Sequence, residues 1–257
     1  MNDYRPVLIS VMQFEEELNR GAMTVFDVID AAQRLGADGV ELRRELWPNW
    51  RDELPAARAQ IAARGMLATY ATFVTLFSDD NQDQTTLRAD IDAAAALGSP
   101  QLRVFQGPMP APADEAGWAA GRAAADYAAQ QGVVIALENY ARTPGGTLAE
   151  IARVLDRVQH PALTTNIDIG NYVLHGEDVP AAIRTLEGRA TSAHLKDQPA
   201  DLSQPPTYLG GGGQDLAAVF VEFDRLPQRI IYCFEFRGGQ DAEERIRRSL
   251  AWLQARQ

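Results

Sequence analysis

The chain contains only one cysteine, Cys233, among its 257 residues. A single thiol cannot form an internal disulfide, so the protein is not a small scaffold held together by cross-links, and a reducing compartment suits it. The amino-terminal stretch MNDYRPVLIS has no basic region followed by a long apolar segment, which argues against a secretory signal. No apolar run is long enough to span a bilayer. We therefore expect a cytoplasmic protein with no membrane partner.

Positive charge and histidine are also scarce. Lysine and arginine total 24 against 35 aspartate and glutamate residues, which gives a formal net charge of −11. An acidic chain repels phosphate backbones, so we expect no nucleic-acid partner. Three histidines are too few for the histidine-rich multi-metal cluster of a DNA-repair endonuclease of the zinc-barrel type. These shortages leave small molecules as the expected ligands.

Short apolar runs alternate with segments of helical spacing along the whole chain. The runs are rich in apolar and β-branched residues, as strands are, and the segments between them have the apolar periodicity of helices. Several helical segments end in glycine, a common helix stop. The eight predicted strands are 7–12, 39–43, 66–73, 100–106, 133–138, 163–168, 190–196 and 229–236.

Strands that alternate with helices are typical of a parallel sheet built from βα units. Eight units in 257 residues match a closed (β/α)8 barrel, which usually has about 250 residues. An open doubly wound sheet is the alternative, but no GxGxxG turn follows the first run, and no change of composition marks a second domain. We predict an α/β protein, a single-domain (β/α)8 TIM barrel over residues 1–257.

Four of the later strands each end in a residue that can bind a metal ion: Glu138, Asp168, His194 and Glu235. In a barrel of this kind the carboxyl ends of the strands form the active-site rim, so the four side chains are expected to converge there. A carboxylate at a strand end is commonly a helix cap or a salt-bridge partner. Four such residues at four successive strand ends favour a shared metal site instead.

The donor set indicates which ion and which chemistry to expect. Three carboxylates and one imidazole suit Mn²⁺, Mg²⁺ or Co²⁺ better than they suit a thiolate-bound structural zinc ion. Such a site leaves coordination positions open for substrate oxygens, and the ion stabilises charge that develops on them. We expect Mn²⁺, with Mg²⁺, Co²⁺ or Zn²⁺ as alternatives, and proton abstraction next to a carbonyl.

Several segments resemble the xylose isomerase-like barrels grouped as sugar phosphate isomerases and epimerases. The matching segments are ALEN around Glu138, NIDIGNYVLHGEDVP around Asp168, AHLKD around His194, YLGGGGQDL, and FEF around Glu235. The resemblance covers most of the chain and is sharpest from residue 133 onward. It implies a TIM barrel in which these four residues bind a divalent metal ion. Relatives of this kind are often dimers or tetramers, so a homo-oligomer is also an expectation.

The same resemblance implies roles for the two glutamates. In epimerases of this family, the residues equivalent to Glu138 and Glu235 bind metal and exchange protons with the substrate from opposite faces. The expected activity is that of a sugar isomerase or epimerase acting through an enediolate on a keto-sugar or related polyol. The sequence leaves two alternatives open: a metal-dependent dehydratase or C-glycoside lyase on a keto-sugar or keto-inositol, and a non-catalytic sugar-binding barrel.

The sequence departs from the family pattern in two places. Asn171 stands where many relatives have a substrate-holding histidine, and a run of four glycines, 210–213, replaces the acidic LGEGE of relatives. Glycine amides at a helix start can bind phosphate, although a plain turn is the simpler interpretation. Aromatic residues after the second strand are candidates for a wall against a sugar face. The candidate substrate-binding residues are Asn171, Lys196, Arg237, Glu41, Trp47 and Arg103.

Overall fold

Eight parallel strands form a closed barrel in sequence order, each hydrogen-bonded to the next and the eighth to the first. The structure is a computed structural model that describes residues 5–78, 81–140 and 142–256, without the side chains of 81–83. The strands are β1 (Val7–Ser10), β2 (Gly39–Arg43), β3 (Leu67–Thr75), β4 (Gln101–Phe105), β5 (Val134–Glu138), β6 (Leu163–Asp168), β7 (Ala190–Leu195) and β8 (Ile231–Phe234).

Helices connect the strands and pack around the barrel. They are α1 (Glu15–Asn19), α2 (Val25–Leu35), α3 (Trp50–Ala63), α4 (Asn81–Leu97), α5 (Glu115–Gln130), α6 (Leu148–Val158), α7 (Ile169–Leu174), α8 (Val179–Thr185), α9 (Leu216–Arg225) and α10 (Ala242–Gln254). Three short 3-10 helices occupy 11–14, 44–46 and 239–241. Within the described part of the chain, no helix is long and apolar enough to cross a bilayer.

Local sequence signals fix several helix ends. Thr24 begins α2 in a capping box, since its hydroxyl accepts from the amide of Asp27 while the Asp27 carboxylate accepts from Thr24. Thr147 and Glu150 form the same arrangement at the start of α6. Gly36 ends α2 at a φ of 80°, a conformation that glycine adopts without strain. These caps orient the helices against the sheet.

The strands are buried on both faces, but the two faces differ in chemistry. Side chains such as those of Val40, Leu102 and Ile167 belong to the apolar core. The residues that alternate with them are polar and contact one another inside the barrel, as Ser192 and Asn166 do through a 2.7 Å hydrogen bond. Because side chains alternate between faces, a strand can have one apolar and one polar face, as in β4, where Gln101 and Arg103 alternate with Leu102 and Val104. The polar residues of such a strand continue to its carboxyl end, where the candidate site lies.

The predicted fold is confirmed. All eight predicted runs contain a strand, and the predicted bounds of the second and sixth agree with β2 and β6. Two short helices were not predicted, α1 and α7, with five and six residues. Neither is long enough to establish an apolar period, and α7 begins directly at the end of β6.

Candidate active site

A cavity of about 490 Å³ opens at the carboxyl ends of the strands. Its walls include the proposed bases Glu138 and Glu235 and the predicted substrate-binding residues Asn171, Lys196 and Arg103. Asp168 and His194 are almost fully buried and lie behind this lining. The barrel therefore brings the predicted site together from strands β4 to β8.

Three of the four predicted metal ligands converge directly. One potential ligand atom from each of Glu138, Asp168 and His194 lies within 4.8 Å of the others. Glu235 approaches from the far side of Lys196, whose Nζ lies 2.6 Å from both Glu235 Oε2 and Asp168 Oδ2. All four side chains thus surround one region, and the ammonium group of Lys196 separates Glu235 from the other three.

Asp168 uses its two carboxylate oxygens differently. Oδ1 accepts a hydrogen bond from the backbone N–H of Asn171 at 2.9 Å and caps the start of α7. Oδ2 accepts no well-directed hydrogen bond, although the nitrogen of Lys196 is close to it. Asp168 can therefore both cap α7 through Oδ1 and bind a metal ion through Oδ2.

One ring nitrogen of His194 contacts a buried acidic residue, Glu41. Its Nε2 lies 2.9 Å from Glu41 Oε2, while Ser10 donates its hydroxyl hydrogen to Glu41 Oε1 at 3.1 Å. Nδ1 points to the other side, 3.1 Å from Glu138 Oε2 and 3.8 Å from Asp168 Oδ2. Metal-binding histidines typically donate their second ring N–H to a carboxylate in this way. Glu41 therefore contacts His194 and is not among the residues that line the cavity, and its role in substrate binding stays a prediction.

Each proposed base is paired with a buried arginine. Arg43 Nη2 lies 2.8 Å from Glu235 Oε1, and Arg103 Nε lies 2.8 Å from Glu138 Oε2. Arg103 also donates from Nη1 to the carbonyl oxygen of Thr72 at 2.9 Å, which fixes its guanidinium group. Both arginines have almost no exposed surface and both line the cavity.

Lys196 reaches the site because Gly170 has no side chain. A Cβ atom at Gly170 would lie 2.5 Å from Lys196 Cγ and 2.9 Å from its Cδ and Cε. The aliphatic stem of the lysine therefore runs over the backbone of α7, and its ammonium group hydrogen-bonds to Glu235 at 2.6 Å. Neither the glycine nor its contact with the lysine was predicted.

The charges of the site strongly perturb ionisation. Burial opposes ionisation of Glu138, but Arg103 and His194 outweigh it and lower the pKa of Glu138 to about 2. Burial likewise opposes ionisation of Glu235, but Lys196 and Arg43 hold its pKa well below the usual value. Burial dominates at Asp168 and raises its pKa to about 6. The two glutamates are thus held as carboxylates.

His194 is perturbed in the opposite direction. Burial disfavours its protonated form, but the carboxylates of Glu41 and Glu138 prevail and raise the pKa of His194 to about 10. Burial also opposes the charge of Lys196, but Asp168 and Glu235 raise the pKa of its ammonium group above the usual value. Four buried carboxylates, those of Glu41, Glu138, Asp168 and Glu235, therefore contact these two cationic groups.

A divalent cation suits the unsatisfied atoms of this site. Asp168 Oδ2 and His194 Nδ1 are buried, lie 3.8 Å apart and have no well-directed hydrogen bond. Each atom has a charged neighbour, Lys196 Nζ at 2.6 Å from Oδ2 and Glu138 Oε2 at 3.1 Å from Nδ1, so the fit to a cation rests on the convergence of carboxylate and imidazole donors. The residues present fit a metal ion, which Glu138, Asp168 and His194 would hold directly, with Glu235 reaching it if Lys196 moves aside.

The remaining predicted substrate-binding residues have different surroundings. Asn171 donates from Nδ2 to Glu138 Oε1 at 3.3 Å and lines the cavity. Arg237 lines it as well, with 72% of its side chain exposed, and pairs with Glu15 at 2.9 Å. Trp47 is buried in the core and donates from its indole nitrogen to Glu53 at 2.7 Å. It does not line the cavity, so packing accounts for it.

The four-glycine loop binds a carboxylate of the protein itself. The backbone amides of Gly210 and Gly212 donate to Asp197 Oδ2 at 3.1 and 3.0 Å, and that of Gln214 donates to Oδ1 at 3.1 Å. The amide of Gly213 donates to the carbonyl oxygen of Gln198. These amides therefore already have acceptors within the protein, which favours the plain-turn interpretation, and phosphate binding by the loop stays a prediction.

A polar chain below Glu138 was also not predicted. Gln101 donates to Ser192 at 2.9 Å, Ser192 donates to Asn166 at 2.7 Å, and Asn166 donates to Glu138 Oε2 at 3.4 Å. The available signal was the alternation of polar and apolar residues within β6 and β7. It places Asn166 on the same face as Asp168, and Ser192 on the same face as His194.

The fold and the site define a TIM barrel with candidate metal ligands at the carboxyl ends of its strands. The chain belongs to the xylose isomerase-like TIM barrel family, whose sequence profile matches residues 29–256. The family inferred from the motifs around Glu138, Asp168, His194 and Glu235 is thereby confirmed. No curated protein sequence matches the chain.

Solved structures share the fold at low sequence identity. D-allulose 3-epimerase from Methylomonas sp. superposes with a TM-score of 0.78 at 19% identity, covering 99% of this chain and 98% of that one. A structure of L-ribulose 3-epimerase gives 0.77 at 16% identity, covering 98% and 94%. A probable 3-DHS dehydratase from Bacillus anthracis gives 0.77 at 16% identity, covering 99% and 100%. At these identities the comparison establishes the architecture.

Proposed function

We propose that this protein is a divalent-metal-dependent sugar isomerase or epimerase that transfers a proton next to the carbonyl of a keto-sugar or related polyol. The observation that carries the proposal is that Glu138 and Glu235, from opposite ends of the β5–β8 series, line one cavity beside a group of candidate metal ligands. Two carboxylates that flank a bound carbon atom can remove a proton and return one. The likeness to two sugar 3-epimerases supports this reaction type.

In the proposed reaction the two glutamates transfer protons and the metal ligands hold the ion. Glu138 or Glu235 accepts the proton from the carbon next to the carbonyl, and the substrate becomes an enediolate. A divalent ion held by Glu138, Asp168 and His194 would supply positive charge that stabilises this anion. Because both glutamates rest as carboxylates, the second one first takes a proton from solvent and the first releases its own to solvent. Delivery of that proton to the other face of the same carbon inverts it, and delivery to the neighbouring carbon converts a ketose to an aldose.

Neighbouring residues keep the two bases in place. Arg43 and Lys196 contact different oxygens of Glu235, and Arg103 and Asn171 contact different oxygens of Glu138. Each carboxylate is thus fixed by two partners before substrate arrives, which reduces the reorganisation needed during reaction.

A specific contact supports elimination as a second candidate reaction. Lys196 Nζ is hydrogen-bonded to Glu235 at 2.6 Å and lines the cavity, so an acid and a base stand side by side. After Glu138 removes a proton, Lys196 can protonate a departing β-oxygen, and water or an alcohol leaves. Loss of water in this way would make the protein a dehydratase, whereas in a C-glycoside lyase Lys196 would instead protonate the departing carbon atom of the aglycone as the carbon–carbon bond breaks.

Solvent exchange tests the proposal. Keto-sugars and keto-inositols are incubated with the protein and Mn²⁺ in D₂O, and NMR follows both deuterium incorporation and product structure. Glu138→Gln and Glu235→Gln should each lower exchange by at least about a hundredfold, because general acid–base catalysis contributes roughly that much or more. Addition of a chelator should also stop exchange.

The matched control is Glu187→Gln, an acid-to-amide change at an exposed position on the outside of the barrel. It should exchange deuterium at the wild-type rate. Near-normal exchange in the Glu138 or Glu235 variant would contradict the mechanism. Absence of exchange with every ketose, combined with sugar binding, would favour a non-catalytic barrel.

A further inference from the structure

The cavity is far more positive than the protein that contains it. Among the described residues, its lining includes five cationic side chains and two carboxylates, whereas the whole chain has a net charge of −11. Cations gathered in a concave site in this way attract negatively charged ligands. The five are Arg43, Arg103, Arg142, Lys196 and Arg237.

Two of these cations form a fixed, buried pair on the β2–β4 side. The guanidinium carbon of Arg43 lies 5.5 Å from the ring centre of Phe73, and that of Arg103 lies 5.0 Å from that of Phe105. The two rings stack on each other at 5.9 Å. The phenylalanines therefore back both arginines and restrict them to the cavity wall.

The buried arginines also retain unused hydrogen-bonding capacity. Arg43 is 3% exposed and its Nε has no hydrogen-bond partner. A buried guanidinium group is costly unless its donors are satisfied. Glu235 accepts from Nη2 of Arg43 and Glu41 Oε1 lies 3.7 Å from the same nitrogen, so Nε is the donor that a further acceptor would satisfy. Arg142 and Arg237 are exposed and line the entrance, where they add positive charge.

Arg43, Arg103 and Lys196 already pair with Glu235 and Glu138, but the lining as a whole still has more cations than carboxylates, and a negatively charged ligand would be attracted to it where a neutral sugar would not. A carboxylate suits the arginines because the planar guanidinium group matches its two oxygens. Phosphate sites in barrels commonly use backbone amides after the seventh or eighth strand, but here those of Gly210, Gly212 and Gln214 bind Asp197. The chemistry of the walls thus favours a carboxylate over a phosphate ester.

We propose that the substrate is a polyhydroxy keto acid, whose carboxylate binds on the Arg43 and Arg103 side of the cavity while its carbonyl faces the metal-ligand side. The carbonyl part of this inference rests on the proposed function, and the carboxylate part rests on the cavity alone. The cavity of about 490 Å³ is large enough for a compound of about six carbons.

Three six-carbon ketoses that differ in charge test the inference. Isothermal titration calorimetry measures the Kd of 5-keto-D-gluconate, D-fructose and D-fructose 6-phosphate on the Mn²⁺-treated protein and on the chelator-treated protein. The keto acid should bind at least about tenfold more tightly than D-fructose, a difference well within reach of calorimetry. Its Kd should rise with salt while that of D-fructose stays constant, because salt screens charge–charge attraction.

Variants at the cavity entrance give a second measurement. Arg142→Gln and Arg237→Gln should each weaken keto-acid binding by roughly two- to fivefold, as expected for exposed charges. The control is Arg153→Gln, which removes the same charge from an exposed position of α6 outside the cavity and should leave the Kd unchanged. Arg43→Gln should weaken binding more, and its thermal unfolding transition shows whether it still folds.

The outcomes separate this inference from the proposed reaction. Equal Kd values for 5-keto-D-gluconate and D-fructose, or tightest binding of D-fructose 6-phosphate, would overturn the inference even if D-fructose exchanges its proton. Tight, salt-dependent binding of 5-keto-D-gluconate without deuterium exchange would support the carboxylate site and contradict the isomerase or epimerase reaction.

Discussion

His194 on β7 and Glu41 on β2 are joined across the barrel by a 2.9 Å contact between Nε2 and Oε2. The contact gives Nε2 the role of donor and leaves Nδ1 directed towards Glu138 and Asp168. Because β2 and β7 are far apart in sequence, the ring orientation depends on closure of the barrel. Glu41 is therefore a positioning residue for the candidate metal ligand His194.

The first prediction concerns Glu41→Gln. The amide keeps the size of the side chain but removes the negative charge that holds the imidazole, so metal affinity should fall about tenfold to a hundredfold. Calorimetric titration with Mn²⁺ measures this directly, independently of turnover. His194→Ala should lower the affinity further because it removes the ligand itself. An unchanged Mn²⁺ titration in Glu41→Gln would show that the contact does not position the ring for metal binding.

The second prediction concerns Gly170→Ala, which places a Cβ atom against the stem of Lys196. Overpacking of this kind costs about 1–3 kcal/mol of the free energy of unfolding, measured with a chemical denaturant. Displacement of the lysine from Glu235 should also lower the exchange rate. The matched control is the same change in a Lys196→Ala background.

In that background the collision is absent, because alanine has no stem at this position. Gly170→Ala should then be neutral or stabilising by up to about 1 kcal/mol, since alanine is the better helix former. The double-mutant cycle isolates the contact between the two side chains. Equal destabilisation in both backgrounds would mean that the glycine is needed for another reason.

The third prediction concerns Asp197→Asn. Asparagine keeps one carbonyl oxygen but loses the acceptor that receives the amides of Gly210 and Gly212. Hydrogen bonds to a charged group contribute about 1.5–3 kcal/mol each, so the loop should loosen measurably. Amide hydrogen exchange of 210–214 should accelerate, while that of the capping-box helix α6 stays the same. Unchanged protection of the glycine amides would contradict the assigned role of Asp197.

Much of the fold was predictable because its signals are local. The strand at 39–43 shows the pattern plainly, since apolar Val40 and Leu42 alternate with Glu41 and Arg43 in a short run between two helical segments. The number of such units then implies the closed barrel. The open doubly wound sheet is the other arrangement to consider, and the absence of a GxGxxG turn after the first strand leaves the closed barrel.

The site was less predictable because its contacts join distant strands. Asp168 and His194 were placed at the rim by their positions at strand ends, and they are register partners. The link from Glu41 to His194 and the passage of Lys196 over Gly170 depend on side-chain directions across the barrel. No local pattern states these directions. The sequence also could not show which loop residues face the cavity. Trp47, in a loop at the rim, is a candidate substrate-binding residue by sequence, but its side chain is buried in the core.

The last prediction concerns Asp90, a fully buried carboxylate of α4 that lies 2.9 Å from Arg44. Burial raises the pKa of Asp90 to about 6 despite the opposing effect of Arg44, and nearby Glu45 adds to the increase. The folded state therefore binds a proton more strongly than the unfolded state, in which the carboxyl group has its ordinary pKa near 3.8. Stability from this group is present below pH 3.8 and is lost as the pH rises to about 6.

Asp90→Asn removes this titration. Relative to the wild type, the free energy of unfolding of the variant should rise between about pH 4 and pH 6 and then level off, with a total change of up to about 3 kcal/mol. Denaturant unfolding at several pH values measures the difference. The control is Asp52→Asn, an exposed carboxylate of α3, which tests the general effect of removing one negative charge. A difference between wild type and Asp90→Asn that stays constant with pH would show that Asp90 titrates alike in both states.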